Sequence, residues 1–428
     1  MMIRILQYVA VGLIVSLYYF SFGFTFLPSS VNTKMILATI GVSMAAYHAI
    51  QNRTLKIDRP TLGAIGFAVL FSLICFISVD YNHTNDLSYA TYFVSFSVWM
   101  FSAYAVCTII KKVHGDVNLI LITSYLAAVC LFQCILALLI DSVPAIQFWV
   151  DRYISQGQEF LLEVSRLYGI GASLDNAGVR FSIVLIMIAG ILSKEATVRS
   201  SRWKIIMLLT AFFTIIVIGN MMSRTTSIGA VLAILYFSLN TGIFRMVIKS
   251  EYFKFHFIFG FTLVLAILAT TYFYQTDRDF HDQIRFAFEG FFNWIEQGEW
   301  RTSSTDKLNK TMWIWPANLK TWIIGTGLFE DWIFGTDIGY CRLILYCGLS
   351  GFAVFVLFFV YNASVFAHQY RQYRDMFFFL LVLSFIIWIK VSTDIFLIYA
   401  LFYGIGMLRD RSNLTYEHED RLLHSRYV

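Results

Sequence analysis

The chain is predicted to be an all-α polytopic membrane protein of about 12 transmembrane helices, and three observations predict it. Apolar residues make up 58% of the 428 positions and charged residues 14%, with a mean hydropathy of +0.67. That lies outside the range of soluble domains. Apolar runs near the roughly 20 residues a helix needs to cross a bilayer recur along the whole length. The connections between them alternate between basic and non-basic. The aromatic share of 18% suits extensive lipid contact and interfacial rings. A single integral membrane domain is expected over 1–428.

The predicted spans are 5–27, 34–50, 61–79, 89–110, 117–140, 176–193, 203–222, 225–240, 255–274, 338–361, 376–391 and 394–408. The first begins after a single early charge, Arg4. It is too long for the apolar core of a signal peptide and lacks a clear small-residue cleavage site, so it reads as a retained span. Basic connections fall at 51–60, 111–116, 194–204, 241–254, 367–375 and 409–413, while the others, such as DYNHTNDLS at 80–88, carry few or no basic residues. By the positive-inside rule both termini are cytoplasmic and the number of spans is even. The net charge of +5 therefore reports topology and not nucleic-acid binding.

Two outer connections are long. In 141–175, apolar Ile146, Trp149, Val150, Tyr153, Leu161, Val164 and Leu167 alternate with polar Arg152, Gln156, Glu159, Glu163 and Arg166 at spacings of three or four. In 275–337, Phe280, Ile284, Phe288, Phe291 and Ile295 oppose Arg278, Asp282, Arg285, Glu289 and Glu296. Both patterns predict amphipathic helices at the interface. With both elaborated loops on one side, chemistry at the outer leaflet is expected. GxxxxGK[ST] and GxGxxG are absent, so no nucleotide site is indicated. The six cysteines (Cys75, Cys107, Cys130, Cys134, Cys341, Cys347) all fall in apolar runs without metal-ligand spacing, and read as buried soft hydrophobes.

One charge needs placing. Arg224 sits inside a long apolar stretch, Trp203 to Leu239. An arginine at mid-bilayer costs between about 3 and 17 kcal/mol. A straight helix of that length would be roughly 55 Å long against a core of about 30 Å, so the chain must reverse. The polar run Ser223–Arg224–Thr225–Thr226–Ser227 marks the reversal, with Ser223 or Thr225 as a cap for the next helix. Basic connections flank both ends, so the tip is on the outer side.

Two further helices start on that side with an arginine in their first turns. One has Asp175 or Asn176 as its cap and then Arg180; the other has Thr336 or Asp337 and then Arg342. Helix N-termini present unpaired N–H groups and partial positive charge. Adding arginine there makes sense if an anion satisfies both. The plainer reading of Arg180 or Arg342 alone is an interfacial anchor that snorkels to headgroups.

At these residues the chain resembles a known family. NMMSRTTSIGAVLAI resembles the outer turn of the O-antigen polymerase and ligase superfamily, the Wzy and WaaL type membrane glycosyltransferases. MWIWPANLKTWIIGTGLFEDW followed by TDIGYCRLILYCGLSGFAVFVLFF resembles that family's GxG segment and late helix, and LDNAGVRFSI its middle span. The likeness covers roughly 170–360 by pattern and the whole chain by topology. It implies a GT-C-like helical fold in a bacterial inner membrane and an active site facing the periplasm. The implied donor is an undecaprenyl-pyrophosphate-linked oligosaccharide, transferred to the hydroxyl of a lipid-linked acceptor without metal, nucleotide or other cofactor. A chain-length regulator is a candidate partner.

A pyrophosphate leaving group needs arginines and helix N-termini around it. Arg224 is the first candidate, then Arg180 and Arg342, with Arg278 or Arg285 closing over the donor and Asn176 and Lys390 completing the substrate contacts. Where the ligase branch has a histidine, this chain has Asp337, which favours the repeat-unit polymerase. Asp337 is then a candidate base, cap or arginine partner, and Tyr340 an active-site hydroxyl or an interfacial ring. Lys390 and Asp394 are spaced i,i+4 as a functional pair, a structural ion pair or a turn. Asp277-Arg278-Asp279 has the form of a metal-binding DxD but is common by chance, and His281 is a minor catalytic candidate. The rival readings are an O-antigen ligase acting on lipid A core, a flippase or transporter of lipid-linked glycan, and a non-catalytic scaffold.

Overall fold

The computed structural model describes residues 2–53, 57–157, 161, 166–240 and 250–408, and over these the chain is nearly all helical. Apart from the short helices Ala196–Arg199 and Leu319–Ile323, the described α-helices are in order α1 Met2–Tyr19, α2 Thr33–Asn52, α3 Arg59–Tyr81, α4 Tyr92–His114, α5 Leu119–Ser142, α6 Pro144–Tyr153, α7 Leu174–Lys194 and α8 Arg202–Met222. There follow α9 Thr226–Asn240, α10 Ser250–Thr276, α11 Arg278–Ala287, α12 Glu289–Gln297, α13 Ser303–Thr311, α14 Gly339–Gln369, α15 Arg374–Ile387 and α16 Phe396–Leu408. Helices occupy every predicted apolar run. Among the described residues, eight are long and apolar enough to cross a membrane: α1, α3, α4, α5, α7, α8, the Phe257–Thr276 part of α10, and α14. Helices α9 and α16 are apolar but shorter. Helix α2 has the length, but Lys34, Ser43 and His48 dilute its hydropathy.

Helix α7 is the centre of the body. Every residue from Ala177 to Ser193 is buried, as expected for a helix that is apolar all round. It packs on α5, α8, α9 and α15. Its approach to α9 depends on missing side chains. A Cβ on Gly229 would collide with the Ser182 backbone, and one on Gly178 would collide with Ser223 and Thr225. Ser182 Oγ donates to Thr225 O at 3.0 Å and accepts from Gly229 N at 3.2 Å. This is small-residue packing, the usual route to close helix contact where solvent supplies no hydrophobic drive. At the other extreme, α10 leaves Phe257, Phe261, Val264 and Leu268 exposed, as suits a lipid-facing helix at the rim.

Helix α14 is kinked at Gly348, whose φ is 66°. The kink frees two carbonyls. Leu345 O accepts from Thr326 N at 2.7 Å, and Tyr346 O from Gly327 N at 3.0 Å and Ser78 Oγ at 2.7 Å. The Gly325-Thr326-Gly327 segment fits because its glycines take φ of 91° and 68°, and a Cβ on Gly325 would collide with Tyr346 O.

Both long connections differ from expectation. The amphipathic helix predicted through 146–167 stops at Tyr153. Ile154–Ser155 instead pairs antiparallel with Gly23–Phe24, and Gly157 turns the chain at φ 77°. Glu159, Glu163 and Val164 of that face lie outside the described residues, as do most of the basic segment 241–254 and all of 409–413. The face predicted through 280–295 is split at Phe288 (φ −112°, ψ 29°) into α11 and α12. Ile284 is buried, whereas Phe291, Trp294 and Ile295 are exposed. All six cysteines are free and buried.

Gly229→Val is expected to wedge α7 from α9 and destabilise the protein by about 1–3 kcal/mol. The unfolding midpoint in detergent measures it, and an unchanged midpoint would contradict the close crossing.

Candidate functional site

The start of α7, the α8–α9 turn and the 388–395 break between α15 and α16 meet at one end of the helical body. Asp175 joins them. Its Oδ1 accepts from Lys390 Nζ at 2.6 Å, Thr225 Oγ1 at 2.6 Å and Ser223 Oγ at 3.3 Å. Lys390 Nζ also donates to Thr225 Oγ1 at 2.9 Å. Asp175 is not the cap predicted for it: Ser173 holds the N-cap position, and Leu174 opens the helix at φ 48°. Asn176 is exposed one residue on. Lys390 pairs with Asp175 and not with Asp394, because 388–395 is not helical and the i,i+4 geometry does not form. Ser223 Oγ does accept from Thr225 N, at 3.4 Å, at the head of α9.

Arg224 stands at the tip of the hairpin, as its length argument predicts. Its anion is internal. Nη2 pairs with Glu289 Oε2 at 2.6 Å, Nε donates to Phe286 O at 2.9 Å, and Nη1 donates to Ser304 Oγ at 3.3 Å. The guanidinium lies 3.8 Å from the centre of the Phe286 ring, and Arg166 lies 4.9 Å from the same ring. Burial lowers the Arg224 pKa, Glu289 opposes that, and the like charge of Arg166 adds to the lowering. Burial lowers Arg166 too, against Asp175. Both guanidiniums are charged, since arginine does not lose its proton in proteins. The cations Arg166, Arg224 and Lys390 thus face the carboxylates Asp175 and Glu289, leaving one positive charge over.

The other arginines separate into different settings. Arg180 is buried. Its Nη1 donates to Gly171 O at 3.3 Å and its guanidinium sits 5.6 Å from the Phe20 ring, away from Arg224. Arg342 Nη2 donates to Phe329 O at 2.7 Å and stacks at 3.9 Å on the Phe329 ring, beside a small pocket lined by Trp332, Phe334 and Thr336. Asp86 holds the other side of that segment, accepting from the Phe329 and Glu330 N–H groups. Burial would raise the Asp86 carboxyl, but hydrogen bonds from Ser88, Glu330 and Phe329 lower it overall. The three arginine-bearing helix starts all reach the 388–395 break, α7 and α9 through Asp175 and Thr225 and α14 through Gly339 and Tyr340 N, but their guanidiniums have different partners.

Several further expectations are corrected. Asp337 is not the cap, since the N-cap is Ile338; it is exposed, accepts from Trp332 Nε1 at 3.1 Å and lies within electrostatic reach of Arg342, as an arginine partner would. Thr336 instead accepts from Ile338 N at 3.1 Å. The Tyr340 hydroxyl donates to Phe385 O at 2.8 Å and its ring packs against Phe352 and Trp388, a structural placement. Arg278 is exposed, and Arg285 is paired with Glu296 at 2.8 Å. Asp277 caps α11, accepting from Phe280 N, and His281 contacts Asp282. Arg166, Asp175 and Glu289 were visible in the sequence as polar positions of amphipathic faces or as a cap. Their partners lie tens to hundreds of residues away, beyond any local signal.

The fold and this cluster define a multi-pass, nearly all-α membrane protein with a charged site at one end of its helical body. No family model, curated protein or solved structure matches the chain.

Asp175→Asn and Lys390→Met should each lower the unfolding midpoint, and the double variant should recover part of the loss. A coupling of about 1–3 kcal/mol is expected for a half-buried, hydrogen-bonded pair. Strict additivity in the cycle would deny the pair its role.

Proposed function

We propose that the protein is a metal-independent glycosyltransferase of the O-antigen polymerase type, as its sequence resemblance suggests. It would transfer a glycan from undecaprenyl pyrophosphate to the hydroxyl of a lipid-linked acceptor. The observation that carries this reading is the gathering of Arg166, Arg224 and Lys390 around two helix starts and a helix break. Such an array suits a pyrophosphate whose charge grows as the glycosyl bond breaks. Glu289 occupies the place a phosphate oxygen would take against Arg224, so donor binding exchanges one anion for another.

The twelve-span, GT-C-like topology belongs to the same reading. Lys111, Lys112, Lys194, Arg199, Arg202, Arg371 and Arg374 lie at the helix ends opposite the cluster. By the positive-inside rule they face the cytoplasm, and the cluster faces the periplasm of a bacterial inner membrane. The break between the short α15 and α16 is the one feature that favours a flippase, since broken helices line substrate paths in transporters. A ligase would use the same leaving-group chemistry with lipid A core as the acceptor.

In proteoliposomes supplied with lipid-pyrophosphate repeat units, the wild type is expected to build a ladder of lipid-linked oligomers. Arg224→Ala should slow this by about 100-fold or more, with Arg224→Lys intermediate. Wild-type rates in folded Arg224→Ala would reject the role of Arg224. Translocation without oligomers would establish the flippase, and transfer only to lipid A core the ligase.

A further inference from the structure

A second group of charges lies between α2, α4, α7 and the 388–395 break, apart from the Arg224 cluster. Lys34 Nζ sits 4.7 Å above the Trp99 ring. It is within electrostatic reach of both Arg180 and Asp394. Asp394 accepts from Phe396 N at 2.8 Å and from the Tyr92 hydroxyl at 3.2 Å. Tyr89, whose hydroxyl donates to Ser392 O at 2.6 Å, is within reach of Asp394 as well. Lys390 shares the break but is turned to Asp175.

These charges do not touch. Among the described residues, none of Lys34, Arg180 and Asp394 forms an ion pair with another side chain. Arg180 is nine-tenths buried and spends one N–H on the Gly171 carbonyl. Lys34 and Asp394 lie deep in the body yet keep accessible surface, so they border a gap. A purely structural cluster would close its ion pairs, because separated buried charges forgo the attraction that offsets their desolvation. A gap bounded by a carboxylate and two cations, one of them held on the Trp99 indole, suits the hydroxyls of a saccharide. Its hydroxyls donate to the Asp394 carboxylate and accept from the two cations.

We propose that Trp99, Lys34, Arg180 and Asp394 form the acceptor-saccharide subsite, and that Asp394 is the general base. This rests on the glycosyl-transfer reading above. The acceptor hydroxyl oxygen attacks the anomeric carbon of the donor, forming the new glycosidic C–O bond. Its proton passes to the Asp394 carboxylate. The anomeric C–O bond to pyrophosphate breaks, and its electron pair leaves with the lipid pyrophosphate. The 388–395 break then serves both halves of the reaction, with Lys390 at the leaving group and Asp394 at the nucleophile.

The test uses full-length protein in nanodiscs with a lipid-pyrophosphate repeat unit as donor and acceptor. Donor binding and the pH dependence of oligomer formation are measured separately. Asp394→Asn should bind donor within about 3-fold of wild type while oligomer formation falls about 100-fold or more, the range for loss of a general base. Asp394→Glu should keep partial activity with a displaced pH profile, and it decides the matter if Asp394→Asn does not fold. Unchanged rate and pH profile in either folded variant would overturn the assignment of Asp394 while leaving glycosyl transfer standing. Wild-type protein that binds no donor and forms no oligomer would overturn both.

Discussion

One carboxylate oxygen, Asp175 Oδ1, holds the functional end of the molecule together. It receives Lys390 from the α15–α16 break and Thr225 and Ser223 from the hairpin tip, while its own residue lies in the first turn of the central helix. Three chain segments far apart in sequence are thereby fixed at one depth. The oxygen belongs to a group that is about 31% exposed at its side chain, so its ion pair is neither fully desolvated nor fully screened. That intermediate setting suits a joint that must be firm and still lie beside an accessible site.

The remaining features follow from that joint. The α7–α9 crossing brings Asp175 within reach of Thr225 because Gly178 and Gly229 omit the side chains that would hold the helices apart. The hairpin tip then projects Arg224 toward the 275–337 connection, where Glu289, Phe286 and Ser304 receive it. Arg224 is therefore the hinge pin of the α11–α13 loop as well as the candidate anion ligand. A ligand that takes Arg224 must release Glu289, whose carboxylate also accepts from Ser303 N at 3.0 Å.

Much of the scaffold was legible in the sequence. Span positions follow from apolar runs, and the hairpin at Arg224 follows from length alone, since about 55 Å of helix does not fit a core of about 30 Å. The electrostatic partners were not legible. Asp175 reads as a helix cap because it precedes an apolar run, yet its partner Lys390 is remote in the chain. The contacts of Asp337 and Tyr340 were not legible either. Their local motif is suggestive, but the helix starts at Gly339, which leaves Asp337 in solvent and commits the Tyr340 hydroxyl to Phe385. Arg180 and Asp394 were singled out separately, but Lys34 was passed over, and only the fold brings it within reach of both. Periodicity reports which face is apolar; it does not report which polar residues of different helices meet.

The central claim is that Arg166, Arg224 and Lys390 form an anion site which Glu289 fills when no ligand is bound. An electron cryomicroscopy structure of the protein in nanodiscs with undecaprenyl pyrophosphate tests it most directly. The expected map has the phosphates between Arg166, Arg224 and Lys390, with the Glu289 carboxylate moved off the Arg224 guanidinium. Phosphate density elsewhere, with the Arg224–Glu289 pair still closed, would contradict the claim.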